Sequence, residues 1–314
     1  MKCLVTGGAG FIGSHLAEGL LAEDHQVRIL DNLSTGSVKN VAMLLNKGAT
    51  YLPGDIRNGK DVFNALDGID MVYHLAALPR VVRSVQDPVG THDTNVTGFL
   101  NILQACRQLG IYNVVYASSS SVYGTQGTHV MDENMTPHPM SPYALHKVMN
   151  EQYARMFYDL FSVSSIGLRF FNVYGERQST EGAYALVIGK FLRMKEDNEP
   201  LTIFGDGNQT RDYTHVSDVV RAIIMSGNAL LGIERDSLRG AHKFNVGTGV
   251  ETSINEIAQL VTQDRFNYPV NHVIPNPRGD FEELRKQADI FRTSAFIGWK
   301  PSVGLEEGIR RLLV

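Results

Sequence analysis

Residues 2–13 read Lys-Cys-Leu-Val-Thr-Gly-Gly-Ala-Gly-Phe-Ile-Gly, a short β-rich run that ends in glycines at positions 7, 10 and 13. A β-prone run over Lys2–Thr6, this G-x-x-G-x-x-G spacing and a helical pattern near 11–23 together describe a strand, a tight turn and a helix. Glycine at Gly7, Gly10 and Gly13 permits the tight turn, close approach of the backbone to a pyrophosphate, and close packing of helix on strand. The triplet alone also fits an ordinary strand-to-helix turn. What sharpens it is a second β-rich run, Val27–Leu30, that ends in Asp31, 18 residues after Gly13. A carboxylate there accepts hydrogen bonds from the ribose hydroxyls of adenosine and repels a 2′-phosphate, which favours NAD over NADP. By itself, Asp31 also suits a cap on the Asn32-Leu33-Ser34 turn.

The alternation continues outward from this unit. Strand-like runs at Thr50–Leu52, Met71–Leu75, Val114–Ala117 and Ser165–Leu168 alternate with helical patterns near 38–47, 60–67, 89–109 and 143–161. That order predicts an α/β fold, a doubly wound parallel sheet with right-handed crossovers. Ser141-Pro142 supplies an N-cap and a first-turn proline for the last of these helices. After about residue 171 the rhythm breaks into turn residues (Gly175, Gly182, Gly205-Asp206-Gly207, Pro275, Pro277), which predicts a smaller C-terminal lobe. One helix–strand pair, near 217–230 and Lys243–Val246, is expected to return to the main sheet. The lobes are therefore expected to be discontinuous: 1–171 with 216–247 for the dinucleotide, and 172–215 with 248–314 for the substrate.

A chain of 314 residues suits one large α/β unit with a smaller lobe. Its net charge of −4 and the absence of a Lys/Arg cluster argue against a nucleic-acid partner. Cys3 and Cys106 lie in apolar runs and read as buried free thiols of a reducing compartment. No apolar stretch reaches the ~18 residues of a membrane span, and the first residues form a strand rather than a signal peptide. The expectation is a soluble, cytoplasmic protein without a membrane partner. The ten His residues show no H-x-x-x-H spacing or Cys pairing, so no metal site is expected. His74 and His146 read as structural, and Trp299 as core.

Tyr143 and Lys147 carry the chemistry. At i and i+4 of a helix both side chains project from one face. A phenol with a reference pKa of about 10 is a poor base at neutral pH. At an effective dielectric of about 20 and a separation of about 6 Å, one positive charge favours the phenolate by roughly 2.8 kcal/mol, about a hundredfold. Lys147 together with a nicotinamide cation is therefore expected to bring Tyr143 close to neutrality, where acid/base catalysis works best. Ser118-Ser119-Ser120-Ser121 follows the fifth strand at the carboxyl edge, where doubly wound sheets bind ligands. In isolation it reads as a polar strand end. Beside Tyr143, one hydroxyl is expected to meet the reacting oxygen. Asp55 closes the third strand within reach of an adenine amino group. His74-Leu75-Ala76-Ala77 ends the fourth with small residues against which a cofactor can lie. Asn95 reads equally as a helix-surface amide or a contact to the cofactor loop.

These motifs resemble those of the extended short-chain dehydrogenase/reductases, and over essentially the whole length the chain is similar to the UDP-hexose 4-epimerases. Phe170-Phe171-Asn172-Val173-Tyr174-Gly175, Phe204–Tyr213, Asn245-Val246-Gly247-Thr248-Gly249 and Gly298-Trp299-Lys300-Pro301 carry the likeness beyond the first half. The resemblance implies a Rossmann domain holding NAD, with Phe11, Ile12, Asn32, Ser34, Thr35, Gly36, Ile56, Leu75, Ala76, Ala77, Asn95 and Phe171 joining Gly7, Gly10, Gly13, Asp31, Asp55, Tyr143 and Lys147 around it. It gives Ser119 the catalytic hydroxyl. Ser120, Asn172, Val187, Thr202, Phe204, Arg211, Arg278 and Asp280 join Ser119 and Tyr143 around a UDP-sugar. Asn172 and Arg211 would bind the diphosphate, and Thr202–Phe204 would hold the uracil through its backbone. Arg211 has a physical case as well, because a guanidinium fork matches phosphate oxygens. Its bland reading is a surface pair with Asp212.

Three departures bear on function. Relatives that dehydrate or decarboxylate carry a carboxylate in the serine segment, where this chain has Ser120 and Ser121. Arg278-Gly279-Asp280 resembles the later diphosphate motif with altered spacing, and Pro79-Arg80 replaces sugar-contacting residues. Arg80 is either a solvated charge or a contact to an anionic sugar. The expectation is NAD-dependent 4-epimerisation of a UDP-hexose by a homodimer. A lyase of the same superfamily and a silent dinucleotide sensor are the alternatives.

Overall fold

In the computed structural model, which describes residues 1–179, 186–233, 238–263, 268–274 and 285–313, the opening run forms β1 (Lys2–Thr6), buried after its first residue. It is followed by α1 (Phe11–Ala22), β2 (Gln26–Asp31), α2 (Val38–Asn46), β3 (Thr50–Pro53), α3 (Gly59–Leu66) and β4 (Met71–His74). Then come α4 (Val81–Gln86), α5 (Pro88–His92), α6 (Gly98–Leu109), β5 (Asn113–Ser119), β6 (Val130–Met131), α7 (Pro142–Phe161), β7 (Ser164–Phe170) and β8 (Val173–Tyr174). The rest comprises α8 (Val187–Glu196), β9 (Leu201–Phe204), β10 (Thr210–Asp212), β11 (Thr214–His215), α9 (Val216–Leu231) and β12 (Ala241–Val246). β13 (Glu251–Ser253), α10 (Ile254–Thr262), β14 (Val270–Val273), β15 (Gln287–Ala288), α11 (Phe291–Ile297) and α12 (Leu305–Leu312) complete it.

Seven strands form one sheet in the order β12-β7-β5-β4-β1-β2-β3, and every pairing is parallel. The order reverses direction between β1 and β4, whose last residues, Thr6 and His74, are register partners. Ligands of doubly wound sheets bind outside the carboxyl ends of strands at such a reversal. The Gly7–Gly13 turn and the Leu75–Ala77 segment leave the sheet side by side at this point. Two apolar layers cover the sheet faces. One gathers Leu16 and Leu20 of α1 with Val219 and Ile223 of α9; the other gathers Val62 of α3, Phe99 and Leu103 of α6, and Phe157 of α7.

A separate apolar cluster unites Tyr174, Phe191, Leu201, Ile203, Tyr213, Ile257, Val261 and Ile309. We propose this cluster as the core of the substrate lobe. Ile297 and Trp299, which the sequence boundary at 248 assigned to that lobe, pack instead in the layer under α9. The reason is a buried carboxylate: Asp218 of α9 accepts the amides of Ser302 and Val303 at 2.9 Å, and the Trp299 indole donates to its carbonyl at 2.9 Å.

The continuous helix expected over 89–109 is three pieces. Between α5 and α6 lies a π-helical turn, Asp93–Thr97. Its centre, Asn95, is 1% exposed, and its amide takes the Leu78 N–H at 2.7 Å and donates to the Leu78 carbonyl at 3.2 Å. The widened turn also leaves the Asn95 carbonyl free to accept from Asn150 of α7 at 2.9 Å. One inserted residue therefore ties the loop after β4 to α7, the kind of use to which π turns are commonly put near functional sites.

Candidate active site

The glycine turn is forced by close contacts. Gly7 has φ +72°, and a Cβ there would stand 2.7 Å from the Ala76 amide nitrogen; one on Gly13 would stand 2.1 Å from the Gly7 carbonyl oxygen. A Cβ on Gly10 would meet only the Gly7 oxygen at 3.1 Å, so the mouth of the turn is open where a phosphate needs backbone approach. Helix α1 begins at Phe11-Ile12 with no side-chain cap and no acidic residue in its first turn, which leaves its amides for an anion. Asp31 is 9% exposed, and its carboxylate accepts from Ala9 at 3.0 Å and from Leu33 at 2.8 Å, while burial presses its pKa upward. Gly36 lies against Ala9, and the Ser37 amide donates to the Ala9 carbonyl, so the loop carrying Ser34 and Thr35 folds onto the turn. These residues fit a dinucleotide with a free ribose 2′-hydroxyl.

Several expected contacts are placed differently. Asp55 is gripped by the Arg57 guanidinium and by the Asn32 amide, and Arg57 holds its carboxyl down at about 2. The Ile56 side chain is packed in the core against Gly98. Asn95 is not a surface amide: it is an interior clamp on the loop that follows Ala77, the loop contact the sequence allowed. The Phe171 ring is 1% exposed among Val122, Tyr123 and Met131, so it forms a wall.

Tyr143 stands at the start of α7, where Ser141 caps the helix by accepting from Ala144 and the Tyr143 amide donates to Ser84 of α4 at 3.0 Å. Its phenol faces the Ser119 hydroxyl at the end of β5, which acts to lower its pKa. The Ser119 hydroxyl also bonds Ser121 at 3.1 Å. Lys147 Nζ lies 5.7 Å from the Tyr143 ring centre and donates to the Ala117 carbonyl at 2.7 Å. The site's own burial opposes the downward pull expected on Tyr143. Burial raises the phenol above its ordinary value and outweighs the Ser119 hydroxyl and the charge of Arg80. Arg80 contributes a positive charge at the phenol, while Lys147 Nζ is turned to Ala117 and itself pulled down to about 8 by burial. His74, bonded to Thr6 at 2.8 Å, is pressed down to about 3 by burial and is a neutral core histidine.

On the opposite side of the site, Asn172, Thr202, Phe204 and Val187 are half-buried and border the second lobe. Arg211 on β10 donates to the Thr210 carbonyl at 2.7 Å. Its bland partner, Asp212, is 1% exposed and accepts instead from Thr248, Gly249 and Ala288. Adjacent strand residues face opposite sides, so Arg211 projects from the face of β10 away from Asp212 and is half-buried. The Ser120 carbonyl accepts from Lys286 at 3.3 Å. Arg278 and Asp280 lie outside the described residues. The sequence reading missed Glu151, one further turn along the Tyr143/Lys147 face, whose carboxylate accepts from Ser118 at 2.7 Å and from both Arg169 nitrogens at 2.8 and 2.7 Å. The i, i+4, i+8 repeat was the available signal.

A parallel sheet with a glycine cradle at its reversal point and a Tyr-x-x-x-Lys helix beside a strand-end serine defines an extended short-chain dehydrogenase/reductase. Residues 3–247 match the NAD dependent epimerase/dehydratase family, and the chain belongs to it. It is 38% identical over 316 residues to a UDP-glucose 4-epimerase of Mycolicibacterium smegmatis, covering 99% of this chain and 97% of that one. It is 33% identical to a UDP-N-acetyl-alpha-D-glucosaminuronate decarboxylase of Bacillus cytotoxicus, covering 99% and 96%. Among solved structures it superimposes on the UDP-glucuronic acid 4-epimerase of Bacillus cereus, in complex with UDP-glucuronic acid and NAD, with TM-score 0.86 and 30% identity, covering 99% and 97%.

The Asp31 carboxylate sets a test of the cradle. Acid extraction of the purified protein is expected to release NAD or NADH, and chromatography showing mainly NADP would overturn the role given to Asp31.

Proposed function

We propose that the protein catalyses NAD-dependent 4-epimerisation of a UDP-hexose of the UDP-glucose/UDP-galactose type. The observation that carries the reading is Tyr143 and Lys147 on one face of α7 beside the Ser119 hydroxyl at the carboxyl edge of the sheet, with serines rather than a carboxylate at 120 and 121. NAD supplies a reversible hydride acceptor at the sugar's C4. Tyr143 takes the proton of the 4-hydroxyl, with Ser119 holding the reacting oxygen, and a 4-keto sugar results. The sugar turns about its diphosphate bonds, and Tyr143 returns the proton once the opposite face is presented. Asn172 and Arg211 anchor the diphosphate, so binding energy is placed away from the ring that must turn. Elimination or decarboxylation would call on an acid/base in the serine segment, and serine at 120 and 121 favours epimerisation over the lyase reading.

Purified protein should interconvert UDP-glucose and UDP-galactose without added cofactor. Tyr143→Phe should lower kcat by at least about 10²-fold, the lower end for general acid/base catalysis, while UDP-sugar binding survives. Near wild-type turnover in that variant would sink the mechanism.

Arg211→Ala removes a charged hydrogen-bonding partner worth about 1.5–3 kcal/mol. The dissociation constants for UDP-sugar and for UDP should both rise roughly 10- to 150-fold. A calorimetric titration with UDP giving an unchanged constant would return Arg211 to a surface role.

The homodimer expectation is carried forward here on the outer face of α5 and α7, where Val89, Leu145, Met156 and Leu160 are exposed beside a cavity lined by Pro88, His92 and Met149. Contiguous apolar surface of this kind marks an interface. Light scattering should give twice the chain mass, and Leu160→Glu should reduce it; a monomeric mass for the wild type would exclude the dimer.

A further inference from the structure

The face of α7 that presents Tyr143 and Lys147 continues to Glu151, and these three positions stack at i, i+4 and i+8. Glu151 is engaged on its far side. Arg169 of β7, whose side chain is 0% exposed, donates to both carboxylate oxygens, and its guanidinium lies 4.7 Å over the Tyr123 ring. Tyr123 in turn donates to Asn245 at 2.6 Å, and Ser118 fills the remaining approach to Glu151. Lys147, by contrast, is 2% exposed with the Ala117 carbonyl as its hydrogen-bond acceptor, so it is a buried cation held by a neutral group.

We propose that Glu151, fixed by Arg169 and Ser118, is a positioning residue whose negative charge keeps Lys147 protonated beneath Tyr143, so that a buried ion pair touching neither substrate nor cofactor sets the pH range of the site. The charge order along the structure is ammonium, carboxylate, guanidinium. Glu151 opposes the downward pull that burial exerts on Lys147. The surrounding titratable groups do not compete for this role. His74 on β4 and His146 on α7 are pushed down by burial to about 3 and about 4 and are neutral in the working range. Tyr116 on β5 is held well above its ordinary value by burial and stays a phenol. Lys243 on β12 is drawn down by burial and by Arg169, and it lies on the Arg169 side of the pair. Arg80 acts on Tyr143 from the loop before α4.

The two members of the ion pair therefore have opposite predicted effects. Glu151→Gln removes the negative charge and leaves Arg169 uncompensated, so Lys147 should lose its proton at lower pH. Arg169→Met leaves the carboxylate uncompensated, so Lys147 should hold its proton to higher pH. Glu151→Asp keeps the charge and should stay near the wild type.

The direct readout is an NMR pH titration of 13C-lysine-labelled protein, with the Lys147 signal assigned from Lys147→Arg. A unit charge removed about one helical turn away should move the midpoint down by about one to two pH units in Glu151→Gln. At the same time, the alkaline limb of kcat/KM should follow the midpoint. A structural role alone would lower activity at every pH and leave the midpoint in place. An unmoved midpoint in a folded Glu151→Gln, or a shift of the same sign in Arg169→Met, would overturn the proposal. Should one variant fail to fold, the other carries the test, because each shift has its own sign. The inference rests on the epimerase reading only for the kcat/KM limb. The Lys147 titration needs no activity, so failure of that reading would appear separately, as absent turnover with a shifted midpoint.

Discussion

A buried ammonium organises this molecule. An isolated cation taken out of water costs several kcal/mol even after relaxation, and it persists only where the fold supplies compensation. Lys147 receives it from the Ala117 carbonyl at the end of β5 and from the negative charge of Glu151 one turn below. Glu151 is satisfied by Arg169 and Ser118, and the Arg169 guanidinium lies over the face of Tyr123. The chain of charges runs plus, minus, plus, and the positive excess remains on the side facing Tyr143. Burial holds the phenol above its ordinary value, and the charge of Arg80 opposes it. The resting site keeps a protonated tyrosine, and a further positive charge at the cradle would tip it toward the base form.

Much of this architecture could be read from the chain because its signals are local. β1, α1 and β2 follow from hydrophobic period and glycine spacing alone, and the parallel order follows from alternation. Tyr143 and Lys147 sit one turn apart, so their common face needs no tertiary knowledge. What the sequence hid are relations across the sheet. Arg169 reaches Glu151 from β7, and Asn95 reaches back to Leu78, separations over which no periodicity extends. Helical pattern over 89–109 also could not show an inserted residue, because a π turn keeps the same apolar positions on either side of it. Ile56 and Phe171 were assigned by position, yet each side chain is drawn into a core while only the neighbouring backbone borders the site.

The C-terminal segment shows the same limit. Its turn-rich composition placed all of 248–314 in the smaller lobe. Asp218, a single buried carboxylate on α9, collects Ser302 and Val303 and fixes Trp299 against the main sheet. The path therefore leaves the dinucleotide domain after β12, builds part of the smaller lobe, returns for α11 and Trp299, and leaves again for α12. Such double crossing ties the C-terminal segment to the layer under α9 as well as to the smaller cluster.

That rigidity has a chemical use. An enzyme that inverts a carbinol must hold its substrate firmly at one end and loosely at the other. In the proposed reaction the firm end would fall on Asn172, just before β8, and on Arg211 of β10, short strands that pair with β11 and β13. The loose end falls on the serine edge of β5, where neighbouring hydroxyls do different work: Ser119 meets Tyr143, and Ser118 meets Glu151 two turns along the same helix. One strand end thus binds the reacting group and its electrostatic support to a single helix face. Any motion of α7 relative to β5 would disturb both contacts together, and the clamps from Ser84 and Asn95 onto that helix oppose such motion. In the proposed epimerisation, the sugar would turn while the proton donor stays in place.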